Sequence, residues 1–269
     1  MSQGASVMIL GTRGSVPVSG GDFLRYGGAT TCVLVRLAGQ VIVLDAGTGL
    51  MALPGLLGAE EQRVSLLLSH PHADHLLGLP MCPLLFQPGF RMELCAARRD
   101  GRGAEEQIRA FMSPPLWPVG PECLPAQLVF RDLPERLELG AVTVDTMEGI
   151  HPGGVSLFRL TGGGRRVVFA TDCTLTDSLL PELTDFARDC DLLMCDGQYS
   201  ASEWPGCSGF GHSTWPAAAR LGAACGAGKV RVIHHDPAHT DQQLDAAADE
   251  LLRFHPDCTF ARDGEEILL

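Results

Sequence analysis

Short apolar and β-branched runs bounded by Gly, Pro or Asp recur along the first two thirds of the chain, a rhythm of strands. Strands are predicted at 7–10, 30–37, 41–45, 64–68, 92–96, 128–131, 142–147, 156–161 and 167–171. Ala38-Gly39-Gln40 and the Gly162-Gly163-Gly164 tract join their neighbours as hairpins. Beyond them the apolar period lengthens, and helices at 177–188, 214–225 and 241–254 alternate with strands at 192–195 and 230–233. No sequence repeat is visible, yet each half opens on strands and ends on helices. Residues 76–86 are apolar but interrupted by Pro80 and Pro83, which leaves at best a short, broken helix. The stretch 98–127 breaks the rhythm: a helix at 104–112 is followed by the stiff Ser113-Pro114-Pro115-Leu116-Trp117-Pro118. A connection of this length inside a compact domain suggests a lid or binding loop, with Trp117 lining a pocket or filling the core.

Composition narrows the class. The 269 residues contain no evident linker, so one domain spanning 1–269 is expected. A net charge of -12 disfavours broad nonspecific contact with nucleic acid, which needs a Lys/Arg face. The first fifteen residues lack the basic and apolar regions of a secretory signal, and no apolar run approaches membrane-spanning length. Ten cysteines lie scattered without a Cys-x-x-Cys pair, so neither a zinc knuckle nor a disulfide framework is indicated and a reducing cytoplasm is the expected home.

Candidate chemistry concentrates after the strand at 64–68, in His70-Pro71-His72-Ala73-Asp74-His75. In an extended segment alternate side chains share a face, so His70 and His72 can address one ion while the following turn brings Asp74 and His75 to a second. Imidazole and carboxylate suit zinc, manganese or iron better than magnesium. Asp45, ending another strand, either orients a metal-binding His or closes an Asx turn. Gly11-Thr12-Arg13-Gly14-Ser15 lacks the Lys of a phosphate loop and is read as a plain loop.

The His-x-His-x-Asp-His signature after a hydrophobic strand resembles the metallo-β-lactamase superfamily. That resemblance implies an α/β fold, a four-layer αββα sandwich with metals at the sheet edge, and further ligands from later loops. On its pattern His151 joins His70 and His72; Asp172 bridges the metals, helix capping being its alternative. His234 completes the pocket of Asp74 and His75. His235 is then packed or supports a ligand, and His239 is a plain surface histidine. Met194-Cys195-Asp196-Gly197-Gln198 with Gly211-His212-Ser213-Thr214 is similar to motifs of the ribonuclease Z branch, nearest its phosphoribosyl cyclic phosphodiesterase group.

The branch implies that His212, oriented by Asp196, protonates a leaving oxygen, with Asp74 in the same proton relay; the alternative role for Ser213 or Thr214 is a helix cap. Asp196 stands where Glu is usual, and Ala29 where the branch carries Asn. The implied reaction is hydrolysis of a small or cyclic phosphodiester by a metal-bridging hydroxide. Two divalent ions, zinc first and manganese or iron as alternatives, would leave a net positive charge that complements such a diester. Ester, thioester or lactone hydrolysis is the runner-up, and a non-catalytic metal-binding scaffold or sensor the third reading. Transfer RNA is disfavoured because 98–127 offers a few Arg and no Lys in place of the branch's basic arm. A homodimer is compatible with the sequence.

Overall fold

The structure is a computed structural model that describes residues 4–269. One seven-stranded sheet contains, edge to edge, β14 (Glu266–Leu268), β1 (Ser6–Gly11), β2 (Cys32–Leu37), β3 (Gln40–Leu44), β4 (Arg63–Leu68), β5 (Arg91–Ala96) and β6 (Gln127–Asp132). The other contains β13 (Cys258–Phe260), β12 (Lys229–Ile233), β11 (Leu192–Asp196), β10 (Arg165–Ala170), β9 (Val155–Gly162), β8 (Val142–Gly149) and β7 (Arg136–Leu139). Each begins with antiparallel pairs and ends in parallel ones: β3–β6 run parallel in the first sheet, β10–β13 in the second.

Side-chain alternation explains the layering. Val33, Val35, Ile42 and Leu44 from one sheet meet Val144, Phe158, Phe169 and Met194 from the other, forming a seam between them. The reverse faces are covered separately. Leu34, Val43, Leu66 and Leu94 pack beneath 3₁₀ turns at Thr48–Gly55 and Pro83–Phe86 and beneath α1 (Ala104–Phe111). Val168, Leu193 and Val230 pack beneath α2 (Leu180–Phe186), α4 (Trp215–Cys225) and α5 (Asp241–Leu252). Helix, sheet, sheet, helix is the expected sandwich.

The strands predicted from the pattern are present. Three short strands, β7, β13 and β14, and the single turn α3 (Trp204–Cys207) carry too few residues to show a period. Helix α2 starts later than predicted: Thr176 holds Leu179 in a turn, and Pro181 follows at the helix start. Residues 98–127 form the connection between parallel β5 and β6, with Ala104, Ile108 and Met112 buried against the first sheet. Leu116, 70% exposed, stands out from that packing. Among the described residues no helix is long and apolar enough to cross a membrane.

Candidate metal centre

The candidate ligands follow the C-terminal ends of strands on both sheets. After β4 the backbone stays extended through His72 and then tightens into a 3₁₀ turn at Ala73–His75, so His70 and His72 face one place and Asp74 and His75 another. From the second sheet, β8 leads to His151, β10 to Asp172, β11 to Asp196 and β12 to His234. Asp172 and His234 adopt positive φ, 49° and 62°, as do Asp45 after β3 (60°) and Ser15 (62°). Each such non-glycine residue costs about 1 kcal/mol or more, held by the surrounding fold.

Two clusters result. His70 Nε2 and His151 Nε2 lie 2.9 and 3.1 Å from His72 Nδ1. Beside them, His75 Nε2 is 3.3 Å from both Asp74 Oδ2 and Asp172 Oδ1, and His234 Nε2 is 3.2 Å from Asp74 Oδ2 and 3.1 Å from Asp172 Oδ2. Asp172 Oδ2 also lies 3.8 Å from His70 Nε2 and 4.0 Å from His151 Nε2, between the clusters. The second cluster is wholly buried, whereas His72 opens the first to solvent.

Hydrogen bonds behind the rings fix their tautomers. His75 Nδ1 donates to Asp45 Oδ2 at 2.7 Å, and His70 Nδ1 to Ser69 Oγ at 3.0 Å, whose hydroxyl donates onward to Asp45. His151 Nδ1 donates to Gly211 O at 2.9 Å and His234 Nδ1 to Gln198 Oε1 at 3.1 Å. Their Nε2 lone pairs therefore converge with that of His72 Nδ1 and the oxygens of Asp74 and Asp172. Ser15 N and the Thr171 hydroxyl donate to the two carboxylates, but buried His75 Nε2 has no hydrogen-bond partner among the described residues. Acceptors facing acceptors in a dry site are repulsive, and the residues fit divalent cations.

The electrostatics point the same way. Burial would lower the pKa of His234, yet Asp172, Asp74 and Asp196 raise it to about 10, and Asp172, Asp74 and Asp45 hold His75 well above its usual range against the same penalty. Burial and the neighbouring His75 push His70 well below its usual range; burial also lowers His72 and His151. One cluster thus demands positive charge and the other offers neutral nitrogen donors.

His212 stands against the second cluster, its ring stacked on His234 at 4.8 Å between centroids. Its Nδ1 is 2.8 Å from Asp196 Oδ2, while Asp196 Oδ1 accepts from Ser213 N and Gln198 N. Thr214 caps α4, and Ser213 Oγ instead bonds Cys173 O and Leu175 N. The predicted site residues are thus brought together, including Asp45, which orients His75 and Ser69.

Two histidines lie outside the clusters. His235 Nε2 donates to Ala261 O, its ring edge-on to Tyr26 and Phe260, and burial lowers its pKa to about 3. The surface position expected for His239 needs correction: it is 5% exposed, because Arg13 Nη1 binds its carbonyl at 2.8 Å and its Nε2 meets Glu203. We therefore expect His234→Ala to weaken metal binding more than about a hundredfold, read by metal titration. His235→Ala should retain metal and lower stability by about 2 kcal/mol, read by denaturant unfolding.

Sequence reasoning assigned no role to Gln198 or Ser69, although both stand within the motifs it singled out, and it missed the supporting part played by the Gly-rich loop. A Cβ at Gly14 would lie 2.2 Å from the His234 ring, and one at Gly211, where φ is +92°, 2.4 Å from His151 Nδ1. Those glycines let backbone approach the ligands. Arg13, completely buried, ties the loop to Gly27, Asp236 and His239 through their carbonyls. A cavity of about 660 Å³ beside Glu135, Glu148 and Phe186 includes no residue of either cluster; a 250 Å³ groove borders Pro71.

Comparison with known proteins bears on this arrangement. The family model described as "Beta-lactamase superfamily domain" matches residues 40–235. Ribonuclease Z of Treponema pallidum (strain Nichols) is 23% identical over an alignment covering 98% of this chain and 97% of the relative. The probable metallo-hydrolase YhfI of Bacillus subtilis is 26% identical, with 84% and 88% covered. The crystal structure of YhfI, a metallo-β-lactamase fold protein, superposes with a TM-score of 0.74 at 22% identity, covering 98% of both chains. A diphosphatase from the PhnP family gives 0.69 at 17% identity, covering 100% of this chain and 98% of its own. The chain belongs to the β-lactamase superfamily, as a hydrolase of the metallo-β-lactamase fold.

Proposed function

We propose that this hydrolase cleaves a small or cyclic phosphodiester. His70, His72 and His151 would hold one divalent ion; Asp74, His75 and His234 a second; and Asp172 both. Zinc is the first choice for this donor set, manganese or iron the alternatives. Bound there, the ions supply positive charge to phosphoryl oxygens and lower the pKa of water. Asp74, steadied by Ser15 N at 2.8 Å, takes the proton of the attacking water.

The observation that carries the reading is the His212–Asp196 pair beside the clusters. With Nδ1 committed to Asp196, His212 has Nε2 left to deliver a proton, and the buried carboxylate stabilises the imidazolium. A departing alkoxide needs that proton. The likeness to proteins named ribonuclease Z and to a PhnP-family diphosphatase supports phosphorus chemistry. A small substrate is favoured over transfer RNA because the arginines of the crossover are largely neutralised: Arg98 pairs with Asp132, Arg99 with Glu148, and Arg109 with Glu105 and Glu122.

The test is a panel of cyclic and linear phosphodiesters, carboxylic esters, thioesters, lactones and a precursor transfer RNA, assayed with defined metals. Turnover confined to esters or lactones would overturn the reading, and preferred cleavage of the transfer RNA would replace the small substrate. Metal analysis should approach two ions per chain. Chelation should lower Tm by about 5 °C or more, because binding at a hundred times Kd contributes about 2.7 kcal/mol.

A further inference from the structure

We propose that the groove beside Pro71 binds the heterocyclic base of a nucleotide-type substrate arm, an inference that rests on the phosphodiesterase reading. Arg99 and Arg102 pair their backbones, Arg99 N to Arg102 O at 3.0 Å and the reverse at 2.8 Å, around Asp100 (φ +47°) and Gly101 (φ +77°). This is a tight two-residue turn. Gln107 Nε2 holds its base through Arg102 O and Ala97 O, and Arg99 is locked to Glu148 Oε1 and Ser156 Oγ. Ser156 N in turn binds Ser69 O, immediately before His70. A rigid chain of contacts thus links the turn to the metal centre, and Pro71, between His70 and His72, forms the near end of the groove.

The lining selects the occupant. Pro71, Phe111 and Leu116 supply apolar surface, Leu116 with most of its side chain exposed. Arg102 and Asp100 add a hydrogen-bond donor and an acceptor, both exposed, and neither belongs to an ion pair among the described residues. An alkyl group would leave both charges unused, while a second phosphate would engage Arg102 and leave Asp100 opposed to it. A planar heterocycle with an imide or amide edge satisfies both and rests its face on the apolar wall. A cavity of about 150 Å³ accepts benzene, so 250 Å³ takes one base and no base stack.

The test compares kcat/KM for thymidine 5′-(4-nitrophenyl phosphate) and methyl 4-nitrophenyl phosphate. They share a leaving group and a diester charge and differ in the base-bearing arm. The wild-type holoenzyme should prefer the thymidine ester at least tenfold. Arg102→Ala, Asp100→Ala and Leu116→Ala should bring that ratio toward one, and the distant surface change Arg253→Ala should not. A ratio near one in the wild type, or a ratio unmoved by all three groove variants, overturns the proposal. If neither ester is cleaved, the phosphodiesterase reading falls, and the groove is judged by calorimetry with thymidine 5′-phosphate. Binding weakened about tenfold by Arg102→Ala supports it; equal binding overturns it.

Discussion

Asp172→Ala should reduce metal content below two per chain and slow turnover by about a thousandfold or more. Among the described residues Asp172 is the one carboxylate within 4.0 Å of nitrogens in both clusters, and its oxygens face His75 and His234 at 3.3 and 3.1 Å. With an ion in each cluster, its loss would remove negative charge from both at once, an effect worth several kcal/mol, with each 1.36 kcal/mol a tenfold change in rate. Asp172→Asn keeps the shape and removes the charge, so it separates steric support from electrostatics. Metal analysis and turnover, measured together, decide the matter. Two ions and normal rates in the alanine variant would remove Asp172 from the centre.

His212→Ala should leave both ions bound and still slow hydrolysis of an alkyl phosphodiester by about a hundredfold or more, the effect of losing a general acid. The deficit should shrink for a nitrophenyl diester, whose phenolate leaves without a proton. Asp196→Asn should give a milder form of the same pattern: the amide can still accept from Nδ1 but stabilises the imidazolium less. Metal loss in His212→Ala would make the residue a ligand or a structural support. Full activity of a metal-replete variant on the alkyl ester would end the proton-donor assignment.

The candidate ligand motif was legible because its four side chains lie within six residues and follow a recognisable apolar strand. Asp172 and His234 were legible only through family resemblance: alone, each is a polar residue after a strand, and their positive φ leaves no local signature. The strands and helices follow from the periodicity and their layering from the family resemblance, whereas β7, β13 and β14 are too short to display a period. The roles of Gln198 and Ser69 were not legible because orienting a ring requires only a polar atom at hydrogen-bonding distance, which many residues supply. His239 was misjudged for a related reason: its burial depends on Arg13, 226 positions away, reaching its carbonyl.

The division of donors between the sheets has a mechanical consequence. His70, His72, Asp74 and His75 ride on the first sheet, and His151, Asp172 and His234 on the second, so the apolar seam acts as the pivot of a calliper whose jaws are the two sets of donors. Changing Phe158 or Phe169 would alter the sheet spacing at the seam, and the jaws would open or close with it. The spacing of the two sets of donors should therefore respond to side-chain volume in the seam.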